Sequence, residues 1–243
     1  MQSLPSNDFP LRVVKRCALL FVLASFVSCT PPKPEESTWP DSLTLIERSK
    51  WAQETIGNPE TIVPMDTITR ITIHHDGMPV GPMESDEQIR YRIVSIRNSH
   101  MKKYADIGYH FVIDGKGRVW EGRPLDFQGA HVKGQNEGNV GVLFLGNSQI
   151  DKPTEVGLEG LYSLIHYLMK RHKVQPGQIF THGELAQTGC PGKLLQARID
   201  EARKNGTFDL KDGVRKIRTG IDWARPWASA KEQIRRWRDK IGF

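Results

Sequence analysis

The sequence is poor in cysteine and contains no apolar run long enough to cross a bilayer. Three cysteines occur among its 243 residues, at positions 17, 29 and 190, which excludes a disulfide-rich secreted scaffold. The main apolar stretch, residues 18–28, has only eleven residues. Hydrophobic residues make up 38% and charged residues 26% of the chain, which excludes a wholly disordered chain. We expect a globular domain with appendages.

A strong charge of one sign is also missing. Lysine and arginine number 34 against 28 aspartate and glutamate residues. Residues 1–28 carry three of those cations and one of the anions, so the remainder has 31 against 27, a surplus of four. Such a small surplus gives little reason to expect a nucleic-acid partner. We therefore predict no nucleic-acid partner. As a separate expectation, the protein is a monomer.

The first 28 residues have the layout of an export signal. The apolar stretch follows three basic residues, Arg12, Lys15 and Arg16, as in a secretory signal. Residues 26–29 (FVSC) resemble a bacterial lipobox, with Phe26 in place of the usual leucine. We predict a lipoprotein signal peptide over 1–28, and a lipidated Cys29 with a Pro-rich tether over 29–44. The alternative is ordinary cleavage that leaves a free thiol.

Lipidation at Cys29 predicts attachment to a membrane of the bacterial cell envelope. Thr30, rather than aspartate, follows Cys29, and the common sorting rule for enterobacterial lipoproteins then favours the outer membrane, facing the periplasm. Since Cys17 lies in the leader, Cys190 would be the one thiol left in the mature chain. Such a thiol must be buried, reactive, paired with another chain or bound to a metal.

Hydrophobic periodicity predicts an α/β fold with a mixed central β-sheet flanked by helices. A capping-box pattern at residues 85–88 predicts the start of a helix of roughly four turns, and Leu158, Leu161, Ile165 and Leu168 predict a second helix. Five runs have strand patterns: residues 67–75, 109–113, 118–121, 140–145 and 178–182. The resulting order is strand, helix, hairpin, strand, helix, strand.

The C-terminal part of the chain differs in composition from the predicted α/β domain. Residues 205–243 are basic and rich in tryptophan and arginine. Apolar residues recur there at helical spacing, at Trp227, Ala230, Ile234, Trp237 and Ile241. We predict an amphipathic helical extension that either folds back on the domain or contacts a surface or membrane. The main domain is assigned to 45–204.

Three metal-ligand side chains fall at or just after predicted strand ends. They are His74, His182 and Cys190. Two imidazoles and a thiolate suit Zn²⁺, and three protein ligands leave a fourth tetrahedral position for the water that hydrolysis requires. Taken singly, each histidine is more often structural than a ligand. We assign His75 a supporting role, because a fourth protein ligand would close the site to water.

Four groups of residues form a recognisable series of motifs. They are residues 71–75 (ITIHH), residues 106–113 (DIGYHFVI), residues 129–131, 134–136 and 140–142 (GAH, GQN, VGV), and residues 181–184 and 188–192 (THGE, TGCPG). In this order they resemble the zinc-dependent N-acetylmuramoyl-L-alanine amidases, a family shared by bacterial and phage amidases and by animal peptidoglycan recognition proteins. Residues 46–51 resemble the opening of the recognition-protein branch. The resemblance covers about residues 45–200 and implies the same fold.

The resemblance also implies roles for individual residues. By that resemblance, His74, His182 and Cys190 bind Zn²⁺, and Tyr109 assists the attacking water or the oxyanion. Thr188 is implied as a second catalytic helper, at a position where phage members carry a lysine, so no cation is supplied there. Two further residues, His131 and Asn136, match a motif beside the substrate groove, where they would either contact substrate or anchor a loop.

The implied function is hydrolysis of the amide between N-acetylmuramic acid and L-alanine in peptidoglycan, for wall degradation, remodelling or recycling. One alternative is a peptidoglycan-binding or sensing lipoprotein without turnover. Another is an amidase specific for 1,6-anhydro muropeptides, which often has aspartate at the position of Cys190. The complete ligand set together with Tyr109 favours the enzyme, and the implied partners are peptidoglycan and, through Cys29, a membrane.

Overall fold

The computed structural model describes residues 39–40, 43–52, 62–79 and 85–208. The predicted signal peptide, the lipidated Cys29, most of the tether and the extension beyond residue 208 lie outside the described residues. The predictions made for those segments therefore stay predictions.

A six-stranded mixed sheet forms the centre of the domain, as predicted. Its spatial order is β1-β4-β3-β5-β2-β6, and every neighbouring pair is parallel except the β3–β4 hairpin. The strands are β1 (Leu45–Ile46), β2 (Arg70–His75), β3 (Phe111–Ile113), β4 (Val119–Glu121), β5 (Asn139–Phe144) and β6 (Ile179–Thr181). The strand pattern at residues 140–145 corresponds to β5, which begins one residue earlier, and all six residues of β5 are buried.

Helices cover both faces of the sheet. They are α1 (Asp86–Tyr104), α2 (Glu155–His172), the single turn α3 (His182–Leu185) and α4 (Lys193–Lys204). The predicted capping box is present, because the Gln88 N–H donates to Ser85 Oγ at 3.2 Å and the Ser85 N–H donates to Gln88 Oε1 at 2.7 Å. At 19 residues, α1 exceeds the four turns predicted. Three elements, β1, α3 and α4, were not predicted from the sequence.

Strand alternation divides the core into two layers. Ile71 and Ile73 of β2 point towards α2 and α4, where they pack with residues such as Leu161 and Ile199. On the other face, α1 buries three isoleucines against the sheet, namely Ile89, Ile93 and Ile96. Burial of each such side chain stabilises the fold by up to about 3 kcal/mol. Since side chains alternate along a strand, His74 lies on the α1 face of β2.

The packed domain extends slightly beyond the predicted 45–204 range at both ends. Leu43 and Phe208 are buried in the core, and the Trp39 ring lies 4.8 Å from the ring of Tyr167, measured between centroids. No helix among the described residues is both long and apolar enough to span a membrane.

Candidate metal centre

Three ligand atoms converge where β2 and β6 end. His74 lies near the carboxyl end of β2, and His182 is the first residue of α3, directly after β6. Because these two parallel strands are neighbours, their carboxyl ends bring both imidazoles to one edge of the sheet. Cys190 reaches the same place from the loop between α3 and α4. One ligand atom from each residue lies within 4.8 Å of the others.

The spacing of these atoms fits a zinc ion. The distance from Cys190 Sγ to His74 Nδ1 is 3.7 Å. Zn–S and Zn–N bonds of about 2.3 and 2.1 Å at a tetrahedral angle would place sulfur and nitrogen about 3.6 Å apart. The donors are also of the right chemical type, since imidazole and thiolate are preferred zinc ligands. The three residues therefore fit a single zinc ion.

A buried ion pair fixes the loop that follows His74. Arg92 of α1 donates to Asp76 through Nε at 2.6 Å and through Nη2 at 2.8 Å, and the Gly146 N–H donates to the same carboxylate at 2.9 Å. The Nδ1 atom of His75 accepts a hydrogen bond from the Ser148 N–H at 3.1 Å. The His75 ring is thus used to join two loops, in agreement with a supporting role.

Backbone geometry brings the Cys190 thiol up to β2. The sulfur lies 3.3 Å from the His75 N–H, which donates to it. Gly192 follows with a φ of +87°, and a Cβ at this position would lie 2.4 Å from the carbonyl carbon of Ser148. Glycine is therefore required both by the left-handed backbone and by the close approach of the two loops.

A polar network at the end of the edge strand β6 positions His182. The Thr181 N–H donates to Glu184 Oε2 at 2.7 Å, and that carboxylate also pairs with Arg203 of α4 at 2.6 Å. Thr181 Oγ1 contacts Gln196 Oε1 at 2.6 Å. The turn that carries His182 is therefore tied to α4.

Burial controls the charge of the ligands. It lowers the pKa of His74 well below its ordinary value, with a smaller effect from the neighbouring His131, and it also lowers the pKa of His182. Both imidazoles are therefore neutral at neutral pH and can present a lone pair. Burial raises the pKa of the Cys190 thiol to about 11. A cation at this point would favour the thiolate that zinc binding requires.

Tyr109 lies beside the three ligands, just before β3. Its ring centroid is 5.1 Å from that of His74 and 5.6 Å from that of His100. Burial raises the pKa of Tyr109, and nearby Cys190 adds to the effect. Among the described residues its hydroxyl has no hydrogen-bond partner. The phenol is therefore protonated at neutral pH and able to donate.

Thr188 lies on the exposed rim of the same loop as Cys190. Its Oγ1 accepts a hydrogen bond from the Cys190 N–H at 3.3 Å. This contact still leaves the hydroxyl proton available for a second partner. The structure thus places both predicted catalytic helpers close to the ligand set.

His131 and Asn136 make contacts within the protein. His131 is buried, with Nδ1 3.0 Å from His74 Nε2 and Nε2 3.0 Å from the backbone oxygen of Asn139. Asn136 Oδ1 accepts from the backbone N–H groups of His131 at 2.9 Å and Val132 at 2.8 Å. These bonds fit the loop-anchoring alternative, and substrate contact by either residue stays a prediction.

Sequence reasoning missed several residues that support the site. Three contacts were not predicted: the Asp76–Arg92 pair, the contact between His131 and His74, and the close packing of Gly141 against His131. Burial lowers the pKa of His131 to about 3, so its ring is neutral. For Asp76, the position two residues after His74 is a local signal that it could support the site. The other contacts have no local signal in the sequence.

The chain is similar to known proteins in both sequence and structure. A family model described as N-acetylmuramoyl-L-alanine amidase matches residues 64–193. A peptidoglycan-recognition protein of Drosophila simulans is 32% identical over 164 residues, which cover 66% of this chain and 86% of that protein. The crystal structure of Drosophila peptidoglycan recognition protein SD shares 28% identity with a TM-score of 0.59, over 65% of this chain and 94% of that one.

A bacterial structure shows the same fold. It is N-acetylmuramoyl-L-alanine amidase LysC from Clostridium intestinale URNW, with 24% identity and a TM-score of 0.54. The match covers 66% of this chain and 97% of LysC. At this identity the similarity is one of fold.

Proposed function

Because the chain belongs to the N-acetylmuramoyl-L-alanine amidase family, we propose that it hydrolyses the amide between N-acetylmuramic acid and L-alanine in peptidoglycan. His74, His182 and Cys190 would hold Zn²⁺. When bound, the ion supplies a Lewis acid and activates water at neutral pH. The observation that carries the proposal is the convergence of these three ligand atoms within 4.8 Å, since three protein ligands are typical of catalytic zinc sites.

Tyr109 is the electrophilic helper in this proposal. Its protonated phenol can donate a hydrogen bond to the carbonyl oxygen of the scissile amide as negative charge develops there. One preorganised donor of this kind lowers a barrier by about 3 kcal/mol. The ring is held in place by its packing against His74 and His100, so little reorganisation is needed during the reaction.

The substrate class is supported by the relatives. Proteins named for peptidoglycan recognition align with this chain over most of their own length. Binding without cleavage is therefore the second candidate function. The complete set of ligands and the adjacent Tyr109 favour hydrolysis, because a binding module needs neither a convergent metal site nor a protonated phenol beside it.

We also propose that the protein is anchored in the bacterial cell envelope through a lipid on Cys29. A tether of about 15 residues at roughly 3 Å per residue would let the domain reach peptidoglycan from the outer membrane. Labelling of the wild-type protein by a radioactive fatty acid, and loss of the label in Cys29→Ser, tests this proposal. Equal labelling of the two proteins contradicts it.

The decisive experiment is digestion of purified peptidoglycan. We expect new L-alanine amino termini that disappear when a chelator is added and return with Zn²⁺. The Cys190→Ser variant, purified in parallel, serves as the matched control and should release none. New reducing sugar ends, or binding with no new ends of either kind, would contradict the amidase proposal.

A further inference from the structure

We infer that His131 is a positioning residue for the ligand His74: it accepts a hydrogen bond from His74 Nε2–H and so presents His74 Nδ1 to the metal. This inference deepens the proposed function and rests on its metal site. For His131 the sequence predicted either contact with substrate or a loop-anchoring role. The structure shows His131 directly behind a ligand.

The direction of the hydrogen bonds follows from a backbone carbonyl. His131 Nε2 lies 3.0 Å from the oxygen of Asn139, and a carbonyl oxygen can only accept, so the hydrogen is on Nε2. In a neutral imidazole, Nδ1 is then an acceptor. This Nδ1 lies 3.0 Å from His74 Nε2, which must therefore carry its own hydrogen.

His74 then has one lone pair left on its ring. With Nε2 protonated, a neutral His74 has its lone pair on Nδ1. This is the nitrogen that lies 3.7 Å from the Cys190 sulfur. The tautomer fixed by the Asn139 carbonyl is thus the tautomer that the metal requires, as in metal sites where a ligand histidine donates its second N–H to a protein acceptor.

Close packing holds the His131 ring in this orientation. A Cβ on Gly141 would lie 2.5 Å from His131 Cδ2, and a Cβ on Gly129 would lie 2.6 Å from the same atom. Any other residue at either position would displace the ring. Asn136 fixes the backbone of His131 by accepting from its N–H at 2.9 Å. The ring therefore occupies a space shaped for it.

Zinc affinity, measured by competition with a chelator, tests the inference without relying on activity. We expect His131→Leu to weaken zinc binding about 10- to 100-fold, the usual cost of losing such a partner. His131→Asn places an amide oxygen near the former Nδ1 and should recover part of the loss. With Co²⁺ in place of zinc, the visible spectrum of the Leu variant should shift, because His74 is no longer held in one orientation.

Two further variants separate positioning from folding. Gly141→Ala leaves every hydrogen-bonding group in place but crowds the His131 ring, so zinc binding should weaken. His166→Leu removes a histidine of α2, which covers the face of the sheet opposite His74 and contacts the backbone oxygen of Thr207 through this side chain; it should leave zinc affinity unchanged. If His131→Leu does not fold, the Asn and Gly141 variants decide the question.

The possible outcomes distinguish this inference from the proposed function. If the wild-type protein binds no zinc, the proposed metal site is wrong. If the wild type binds zinc and folded His131→Leu binds it equally well with an unchanged Co²⁺ spectrum, the positioning role is wrong while the metal site stands. Equal affinity of the wild type, His131→Asn and Gly141→Ala would also overturn the positioning role.

Discussion

Two of the buried polar clusters in the domain differ in charge and in how their polar groups find partners. In the first, the carboxylate of Asp106 is fully buried and accepts from Arg48 Nη2 at 2.8 Å and from Arg97 Nε at 2.9 Å. Nearby, Arg123 donates to four backbone oxygens, including that of Asp106 itself. Each charge in this cluster meets an opposite charge or dipole within the protein.

The second cluster contains the three candidate ligands. These side chains present lone pairs to a common point, and no ion pair among the described residues involves any of them. Burial keeps the imidazoles neutral and favours the protonated thiol. The first cluster is thus complete within the protein, so that loss of one of its partners would destabilise the fold. The second cluster is neutral, and its convergent lone pairs fit the zinc ion that we propose.

The largest expected effect would come from removing one of these lone pairs. Cys190→Ser should lose most bound zinc and at least about 1,000-fold in activity, since loss of an outer partner alone costs about 10- to 100-fold. The domain should stay folded, because the two side chains are similar in size. Metal content, peptidoglycan digestion and thermal unfolding measure the three quantities. A variant with full zinc and full activity contradicts the ligand assignment.

The converse test breaks the compensated cluster. Asp106→Ala leaves Arg48 and Arg97 buried without their carboxylate, so the free energy of unfolding should fall by about 3–5 kcal/mol. Asp86→Ala provides a matched control, because Asp86 is exposed and its pairs with Lys116 and Arg118 should contribute about 1 kcal/mol or less. Denaturant unfolding gives both values. Zinc affinity of the folded Asp106 variant should be unchanged, and a loss of affinity without a loss of stability would contradict the division into two clusters.

The two clusters also differ in how far the sequence predicts them. The sequence could suggest that His74 and His182 converge, because both lie at the ends of predicted strands. The structure supplies the reason, since their strands are parallel neighbours that end at one edge of the sheet. The Asp106 cluster could not be predicted, since Arg48 lies 58 positions from Asp106 and charged residues are usually on the surface.

The helices of the fold could likewise be predicted only where the sequence carries a clear local signal. Helix α1 was predicted because its cap and its three isoleucines are local signals. Helix α4 was missed although Leu195, Ile199 and Ala202 are spaced for one face, because that signal is short and follows a loop without an N-cap side chain. The contact between His131 and His74 has no local signal, since it depends on two strands and a loop meeting in space.

The next test separates metal binding from chemistry within the second cluster. Tyr109→Phe removes the phenolic donor beside the ligands and should lower kcat about 100-fold or more, corresponding to about 3 kcal/mol. Zinc affinity and KM should change little, because the ring and its packing remain. Kinetics on a soluble muropeptide and metal titration measure these effects. Unchanged kcat, or loss of zinc, would contradict the role given to Tyr109.

Acid should destabilise the histidine-rich side of the domain. Burial lowers the pKa of His110 to about 4, below the value near 6.5 of an unfolded chain. Below pH 6.5 the unfolded chain therefore binds more protons than the folded one, so stability is complete above this pH and is lost as pH falls towards 4. Between pH 7 and pH 5 the loss from this group is about 2 kcal/mol.

Comparison with a variant isolates this contribution. His110→Gln keeps an uncharged amide in place of the ring, so unfolding curves measured with a chelator present should show a shallower dependence on pH than those of the wild type. Any general destabilisation by the substitution is equal at both pH values and cancels. Identical slopes for the two proteins would show that His110 does not titrate in this way.

The smallest expected effect concerns Thr188, at the exposed rim of the ligand cluster. A neutral hydrogen bond contributes about 0.5–1.5 kcal/mol, so Thr188→Ala should lower kcat by about tenfold or less. The substitution also removes the hydrogen bond between Thr188 Oγ1 and the Cys190 N–H. If this bond is what matters, the loop loosens and zinc affinity falls instead of kcat. Thr188→Ser retains the hydroxyl and should restore kcat. If Ser fails as completely as Ala while both keep their zinc, the hydroxyl is not the active group, and the rim contributes shape rather than a proton donor.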